Sequence, residues 1–179
     1  MSLRAKLLNW MDRAADWMAQ RHILSANAAI LMLCASMYLG TGGSLALFQF
    51  PSFGSITVDN YRLIINDPVH RATVFFTYMT NVMLLNCVVM FVGEFRTRMR
   101  WFPVAVLVEL TSVTLLTVLG IFRYNDQLYA GITDPAKLKE VLDSWLALNW
   151  LRVSIWAVMW LTVMGYFSVK AASAIKARK

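Results

Sequence analysis

The stretch AAILMLCASMYLGTGGSLALF, residues 28–48, contains no charged side chain. Three further runs, residues 73–92, 102–122 and 145–168, are almost as apolar and of similar length. A helix rises 1.5 Å per residue, so about 20 residues cross the roughly 30 Å hydrocarbon core of a bilayer. The sequence therefore predicts an all-α integral membrane protein, an antiparallel four-helix bundle with two outer loops and an N-terminal interfacial helix.

Composition agrees with this fold class. The chain has 179 residues, of which 59% are hydrophobic and 15% charged, and its mean hydropathy is +0.55. Four spans in so short a chain leave no length for a separate soluble domain. We therefore predict three parts: an N-terminal helix over residues 1–27, a membrane domain over 28–168, and a basic tail over 169–179.

The positive charges are distributed unevenly between the two ends of the predicted bundle. Of the 17 Lys and Arg residues, eleven precede span one, lie between spans two and three, or follow span four. Five lie in the two opposite loops, and Arg152 alone falls inside a span. Because cytoplasmic loops are enriched in Lys and Arg, both termini are expected in the cytoplasm. The membrane is expected to be a bacterial inner membrane. The net charge of +7 thus indicates topology and a lipid partner, and we expect no nucleic-acid binding.

The first 21 residues have the pattern of an amphipathic helix. Apolar residues recur at helical spacing, and charged ones occupy the rest of the wheel. Such a helix is expected to lie along the inner leaflet with its two tryptophans at headgroup depth; docking to a partner protein is the alternative. The apolar positions are Leu3, Leu7, Trp10, Met11, Ala14, Trp17 and Met18.

The loops contain recognisable boundary signals. Residues 52–71 form the first outer loop, in which 55–58 and 61–65 suit either strands or a short interfacial helix, with Asn66 or Asp67 capping span two. Residues 123–144 form the second, in which Thr133 or Asp134 caps a short helix that begins at Pro135 and runs almost directly into span four.

Span one also contains small residues at helical spacing. Ser36, Gly40 and Gly43 share one face of the helix. Small residues on one face allow two helices to approach closely, so this stripe predicts helix packing. The alternative is that the glycines open the helix beside a ligand.

Polar residues inside the spans are the best indicators of a site, because each must be paired or face water. Asn149 and Arg152 are three residues apart and share a face of span four, where Trp145 and Trp156 flank them. Asn81 lies near the middle of span two, and Glu109 lies in span three. In the alternative interpretation, Glu109 and Arg152 form a structural pair or extend to opposite interfaces.

Other polar groups converge on the outer end of the same region. Tyr124 and Asn125 follow span three, and His70 precedes span two. Aromatic walls with a few aimed donors suit a flat ligand with polar edges. Only two histidines exist, His22 and His70, and they fall at opposite ends, so a bis-histidine haem site is not indicated. We predict neither a metal nor a cofactor, and the chain has no nucleophilic triad or phosphate-binding glycine motif.

Two segments resemble the anthrone-oxygenase-like family of small four-helix membrane proteins: IFRYNDQL, residues 121–128, and WLALNWLRV, residues 145–153. That family has an asparagine-containing segment ending in leucine after span three, and a W-x-x-x-N-x-x-R pattern opening span four. Trp145, Asn149 and Arg152 match the second pattern in spacing, and Asn125 and Leu128 match the first loosely. The glycines of span one, followed by Phe50-Pro51, are similar to the family's first span, whereas the long N-terminal extension departs from it.

The resemblance implies a lipophilic pocket and the oxygenation of an activated phenolic ring without a metal or flavin. On this hypothesis an aromatic or quinone-like molecule arrives from the lipid. Arg152 and Asn149 hold its oxygen and stabilise a phenolate, while Trp145, Trp156 and Tyr124 enclose the ring. Glu109 is a distant candidate base, and Asn81, Asn125 and His70 complete the predicted binding residues.

A second hypothesis makes the chain an accessory subunit of a larger membrane assembly. The amphipathic N-terminal helix and the small-residue stripe then contact partner proteins, whereas a homo-oligomer with a bound aromatic ligand would favour the first hypothesis. The polar pairs set only the register of the helices. A transporter or channel is a weaker hypothesis, since one Glu and one Arg give little for a continuous pore.

Overall fold

The computed structural model describes residues 3–20 and 22–176, without the side chains of residues 19 and 20. Over this part of the chain every regular element is helical and no strand occurs. Three of the basic residues used above to predict topology, Arg21, Arg178 and Lys179, lie outside the described residues.

The α-helices are α1 (Leu3–Gln20), α2 (Ile23–Ser44), α3 (Asp67–Gly93), α4 (Trp101–Leu115), α5 (Phe122–Ala130) and α6 (Pro135–Lys176). Three π-helical segments extend them: Leu45–Gln49, Arg62–Asn66 and Leu116–Ile121. Short 3₁₀ segments cover Phe50–Ser55 and Arg98–Arg100. Four of the resulting helical stretches are long and apolar enough to cross a membrane: Ile23–Ser55, Arg62–Gly93, Arg98–Ala130 and Pro135–Lys176.

The helices run beyond the predicted apolar spans into both outer loops. Residues 62–66 are helical, so the strand alternative for the first loop is wrong and the helical alternative is right there. The second loop shrinks to residues 131–134, since α5 occupies its first part and α6 begins at Pro135. Burial explains the extension through α5, because Asn125 and Leu128 face the protein interior.

The two predicted helix caps have different outcomes. The Oδ1 atom of Asp134 accepts the N–H of Ala136 at 3.0 Å, so α6 begins as predicted, with Pro135 at its first position. The predicted cap of span two is wrong. Asn66 makes no cap bond to α3, and its Nδ2 donates to the carbonyl of Leu128 at 3.3 Å. A cap is not needed at this point, because the π-helical segment Arg62–Asn66 leads directly into α3 and the helix does not begin there.

The four long helical stretches form a closed ring of contacts. α2 and α4 each pack against both α3 and α6. The interior is apolar, with Leu31, Met83, Leu110 and Met159 at most 1% exposed. The outward faces are apolar too, which suits contact with lipid tails rather than water. Outward residues that are at least 60% exposed include Leu33, Leu47, Leu85, Leu119 and Leu161.

Three positively charged segments meet at one end of this ring. The Nε of Arg96, in the turn between α3 and α4, donates to Asp12 of α1 at 2.6 Å. This hydrogen bond lowers the pKa of the Asp12 carboxyl. In the same turn, the Glu94 carboxylate pairs with Lys170 of α6. The N-terminal helix, the α3–α4 turn and the end of α6 therefore share one end of the molecule.

The N-terminal helix divides its apolar residues between the protein and its outer surface. Ala15 and Met18 are buried, and α1 packs against α2 and α3. Trp10 and Trp17 remain about half exposed, at 55% and 51%. An exposed apolar face with tryptophans fits the predicted position along a membrane surface.

Close helix packing in span one depends on Gly42 rather than on the predicted stripe. A Cβ at Gly42 would lie 2.7 Å from Cε3 of Trp156 and 3.1 Å from Cγ2 of Val153. A Cβ at Gly40 or Gly43 would meet nothing within 4 Å. The prediction that Gly40 and Gly43 allow close helix packing is therefore wrong for contacts within this chain.

Replacing Gly42 by alanine should lower the free energy of unfolding by about 1–3 kcal/mol, because the indole of Trp156 must move in a packed interior. Gly40→Ala and Gly43→Ala are matched controls on the same helix and should be neutral or stabilising by up to about 1 kcal/mol. Reversible unfolding in mixed detergent micelles measures all three. Equal stabilities for the three variants would contradict the assigned contact.

Candidate functional site

A cavity of about 620 Å³ lies between the four long helical stretches. It is lined by residues of α2, α3, α4 and α6, of the start of α5, and of the π-helical and 3₁₀ segments that adjoin these helices. This volume lies in the range of small-molecule sites, about 300–1,000 Å³.

The walls of the cavity are mainly aromatic and aliphatic. Tyr38, Phe76 and Trp156 form a contiguous cluster, with ring centroids 4.7 Å apart for Tyr38 and Phe76, 5.1 Å for Tyr38 and Trp156, and 5.5 Å for Phe76 and Trp156. Phe53 and Trp145 stack at 5.7 Å towards the outer end. These ring faces provide the flat walls that an aromatic ligand requires.

Threonines supply most of the remaining polarity. Four of their hydroxyls donate to the carbonyl four residues earlier in the same helix, so towards the cavity these groups offer only acceptor lone pairs. They are Thr73, Thr77, Thr111 and Thr114. Thr77, Thr111 and Thr114 are exposed although they line the cavity, so the cavity is open sideways between α3 and α4.

All three π-helical segments in the described part of the chain contribute to the cavity wall. Leu45 and Gln49 come from the first, Ile64 and Ile65 from the second, and Thr117, Val118 and Ile121 from the third. Wide turns of this kind occur frequently at functional sites. Their coincidence at one cavity marks this part of the fold as the candidate site.

Two buried donors of residues in the wall have no hydrogen-bond partner in the part of the chain that the structure describes. They are the Nε of Arg152 and the Nε1 of Trp156, four residues apart and hence on one face of α6. The guanidinium carbon of Arg152 lies 4.8 Å from the centroid of the Trp156 ring. Within the described residues no carboxylate pairs with Arg152. A buried donor without an acceptor costs about 1–3 kcal/mol, so these groups are poised for an acceptor.

Trp145 and Asn125 form the outer end of the cavity. The indole Nε1 of Trp145 donates to Oδ1 of Asn125 at 2.8 Å, and both residues are buried. Asn81 lines the cavity from α3 and donates its Nδ2 to the carbonyl of Thr77 at 2.9 Å. The cavity thus brings together five of the nine residues selected from the sequence: Arg152, Trp156, Trp145, Asn125 and Asn81.

The other four selected residues lie outside the walls of this cavity. Asn149 is completely buried, and its Nδ2 donates to the carbonyl of Trp145 at 2.7 Å. Tyr124 packs against Arg123, and the guanidinium carbon of Arg123 lies 4.8 Å from the centroid of the Tyr124 ring. His70 lines a smaller adjacent cavity of about 180 Å³, which shares Asn125 with the main one.

Glu109 does not pair with Arg152. Its Oε1 accepts the hydroxyl of Thr162 at 2.7 Å, and its Oε2 is buried without a partner. The structural ion pair considered from the sequence is therefore absent from the described residues, and Arg152 stays available to the cavity.

Sequence reasoning missed Tyr38 and Phe76. The hydroxyl of Tyr38 lies 2.6 Å from Oγ1 of Thr80 and 3.2 Å from the Phe76 carbonyl, which joins α2 to α3 at the cavity wall. A tyrosine inside an apolar span is a visible signal. Its position opposite Trp156 depends on the rotation of three helices, which the pattern of a single span does not indicate.

No family model, curated protein or solved structure matches this chain. The resemblance to the anthrone-oxygenase-like family rests on the motif residues alone.

Proposed function

We propose that the chain is an integral membrane protein that binds a lipophilic aromatic or quinone-like molecule between its four long helices. The observation that carries this proposal is the pair of unpartnered donors, Arg152 Nε and Trp156 Nε1, in the wall of an otherwise apolar cavity. A ligand oxygen would satisfy both donors, and the surrounding rings would hold its body.

The proposed setting is a bacterial inner membrane, with the helices as an antiparallel bundle and both termini in the cytoplasm. The outward apolar faces support contact with lipid. The gathering of α1, the α3–α4 turn and the end of α6 at one positively charged end supports the orientation. The exposed tryptophans of α1 would then lie at the inner headgroups. Reporter tags at the two termini test this directly, and opposite compartments for the two tags would contradict it.

The proposed ligand approaches from the lipid, through the opening between α3 and α4. Its ring lies against Trp156 and Phe76, and one oxygen accepts from Arg152 and Trp156. Trp145 closes the outer end, held by its bond to Asn125. Asn149 is proposed as a positioning residue, because it bonds the backbone of Trp145 and does not line the cavity.

Binding is better supported than oxygenation. Removing a proton from a phenolic ring needs a base within hydrogen-bond reach. The cavity lining contains no carboxylate or imidazole among the described residues, and Glu109 faces Thr162 instead. Oxygenation therefore stays a proposal carried by the family resemblance, and oxygen uptake in the presence of an anthrone tests it separately.

A titration with 1,4-naphthoquinone tests the binding proposal, with quenching of tryptophan fluorescence as the readout. We expect saturable quenching of the wild-type chain in phosphatidylcholine nanodiscs. Arg152→Gln should weaken binding about 10- to 100-fold, since a hydrogen bond to a charged group contributes about 1.5–3 kcal/mol.

Arg123→Gln is the matched control. It removes one guanidinium from the outer region, and Arg123 does not line the cavity. Its affinity for naphthoquinone should equal that of the wild type. Identical quenching curves for all three proteins, or the absence of saturation in each, would contradict the assigned site.

The accessory-subunit hypothesis is favoured by one observation. Gly40 and Gly43 present an open face, where an added Cβ would meet nothing within 4 Å. Helices in membranes commonly meet at such faces. Purification in a mild detergent distinguishes the two proposals. A stoichiometric partner protein lost on Gly40→Leu supports the subunit role, whereas a chain that stays alone or self-associates does not.

A further inference from the structure

We infer that the molecule held in the cavity is an anion, with a phenolate- or carboxylate-type oxygen on a lipophilic body. This inference rests on the proposed binding function and specifies the charge of the ligand.

The charges around the cavity are unbalanced. Among the described residues, Arg152 is the only Lys, Arg, Asp or Glu in the cavity lining. The guanidinium of arginine stays protonated in proteins, and an isolated charge in a low-dielectric interior is costly unless it is paired. No acid of the described residues pairs with it. The counter-charge of Arg152 is therefore not supplied by the described residues.

One buried carboxylate of the chain has its counter-ion nearby in the usual way. Glu94 is 1% exposed, and its carboxylate pairs with Lys170 and accepts from the hydroxyls of Tyr166 and Thr97. Glu94 thus has its counter-ion among the described residues, whereas Arg152 has none there. This difference points to a ligand as the counter-ion of Arg152.

The geometry at Arg152 suits an oxygen anion. Arg152 Nε and Trp156 Nε1 are both donors on one face of α6, so this part of the wall offers N–H groups to an acceptor oxygen. Charge-assisted hydrogen bonds of this kind are roughly twice as strong as neutral ones. The Trp156 ring beneath the guanidinium partly stabilises the cation when no ligand is bound.

Two related quinones test the inference. At neutral pH 1,4-naphthoquinone is neutral, whereas 2-hydroxy-1,4-naphthoquinone is ionised. We expect the ionised compound to bind the wild-type chain at least about tenfold more tightly, in phosphatidylcholine nanodiscs. Arg152→Gln should remove this preference. Arg152→Lys should keep part of it, because the charge remains and the donor geometry changes.

The outcomes separate the inference from the proposed function. Equal affinities for the two quinones, with the dependence on Arg152 retained, would overturn the inference and leave the binding proposal intact. Binding of neither quinone would overturn both. A preference for the ionised quinone that persists in Arg152→Gln would also overturn the inference, because the charge would then be recognised elsewhere.

A lipid control distinguishes a small anionic ligand from an anionic headgroup. Part of the phosphatidylcholine is replaced by phosphatidylglycerol in otherwise identical nanodiscs. If the inference holds, the affinity for 2-hydroxy-1,4-naphthoquinone should change by the same factor in the wild type and in Arg152→Gln, because the anionic headgroups repel the ionised quinone from both. Loss of that binding in the wild type, with no matching change in Arg152→Gln, would overturn it in favour of a lipid phosphate.

Discussion

Replacing Trp156 by alanine is expected to lower the free energy of unfolding by about 3–5 kcal/mol, the largest effect we predict for a single side chain. Trp156 is 1% exposed and contacts Tyr38 and Phe76, so its ring joins α6 to α2 and α3. Removing the ring leaves a void where three helices meet. Equilibrium unfolding in mixed micelles, followed by circular dichroism, measures the loss.

Two variants make this prediction specific. Trp150 lies on the same helix and is 47% exposed, so Trp150→Ala should cost less than about 1.5 kcal/mol. Trp156→Phe keeps an aromatic ring and removes an indole donor that has no partner. It should retain far more stability than Trp156→Ala and still weaken naphthoquinone binding about tenfold. A Trp156→Ala protein as stable as Trp150→Ala would contradict the central position of this ring.

Glu94→Ala is the second large effect, with an expected loss of about 2–4 kcal/mol in the free energy of unfolding. The carboxylate is buried and holds Tyr166, Lys170 and Thr97, which fixes the α3–α4 turn to the end of α6. The Lys170 side chain is 44% exposed, so in the variant its amine can turn to water. For that reason the expected loss lies below that of a fully enclosed ion pair.

A surface acid provides the control for Glu94. Glu140 pairs with Lys137, and its side chain is 68% exposed, so Glu140→Ala should change stability by less than about 1 kcal/mol. Tyr166→Phe removes one of the three partners of Glu94 and should cost about 1 kcal/mol. Thermal unfolding of the four proteins in one detergent compares them directly. A Glu94→Ala protein no less stable than Glu140→Ala would show that the cluster contributes nothing.

Much of the helical architecture follows from local composition. The predicted apolar runs correspond to the four helical stretches long enough to span a membrane, because length and hydrophobicity are properties of a single segment. The ends of the helices were harder to predict from the sequence. Residues 62–66 fit a strand as well as a helix, and residues 123–130 look like a loop because most of them are polar. Both segments are helical where packing buries Ile65, Asn125 and Leu128.

The candidate site could be predicted only in part from the sequence. Arg152, Trp145 and Trp156 share one helix, so their common face follows from helical spacing alone. Tyr38, Phe76 and Thr80 lie on other helices, and the rotation of one helix against its neighbours is set by tertiary packing. The same limitation explains Gly42, which no spacing within span one distinguishes from Gly40 and Gly43. The π-helical segments have no comparable periodic signal.

A structure of the chain with 2-hydroxy-1,4-naphthoquinone tests the central claim most directly. The account predicts the ring between α3 and α6, with one ligand oxygen about 2.7–3.2 Å from both Arg152 Nε and Trp156 Nε1. An empty cavity, or a ring bound elsewhere while both donors stay without an acceptor, would contradict it.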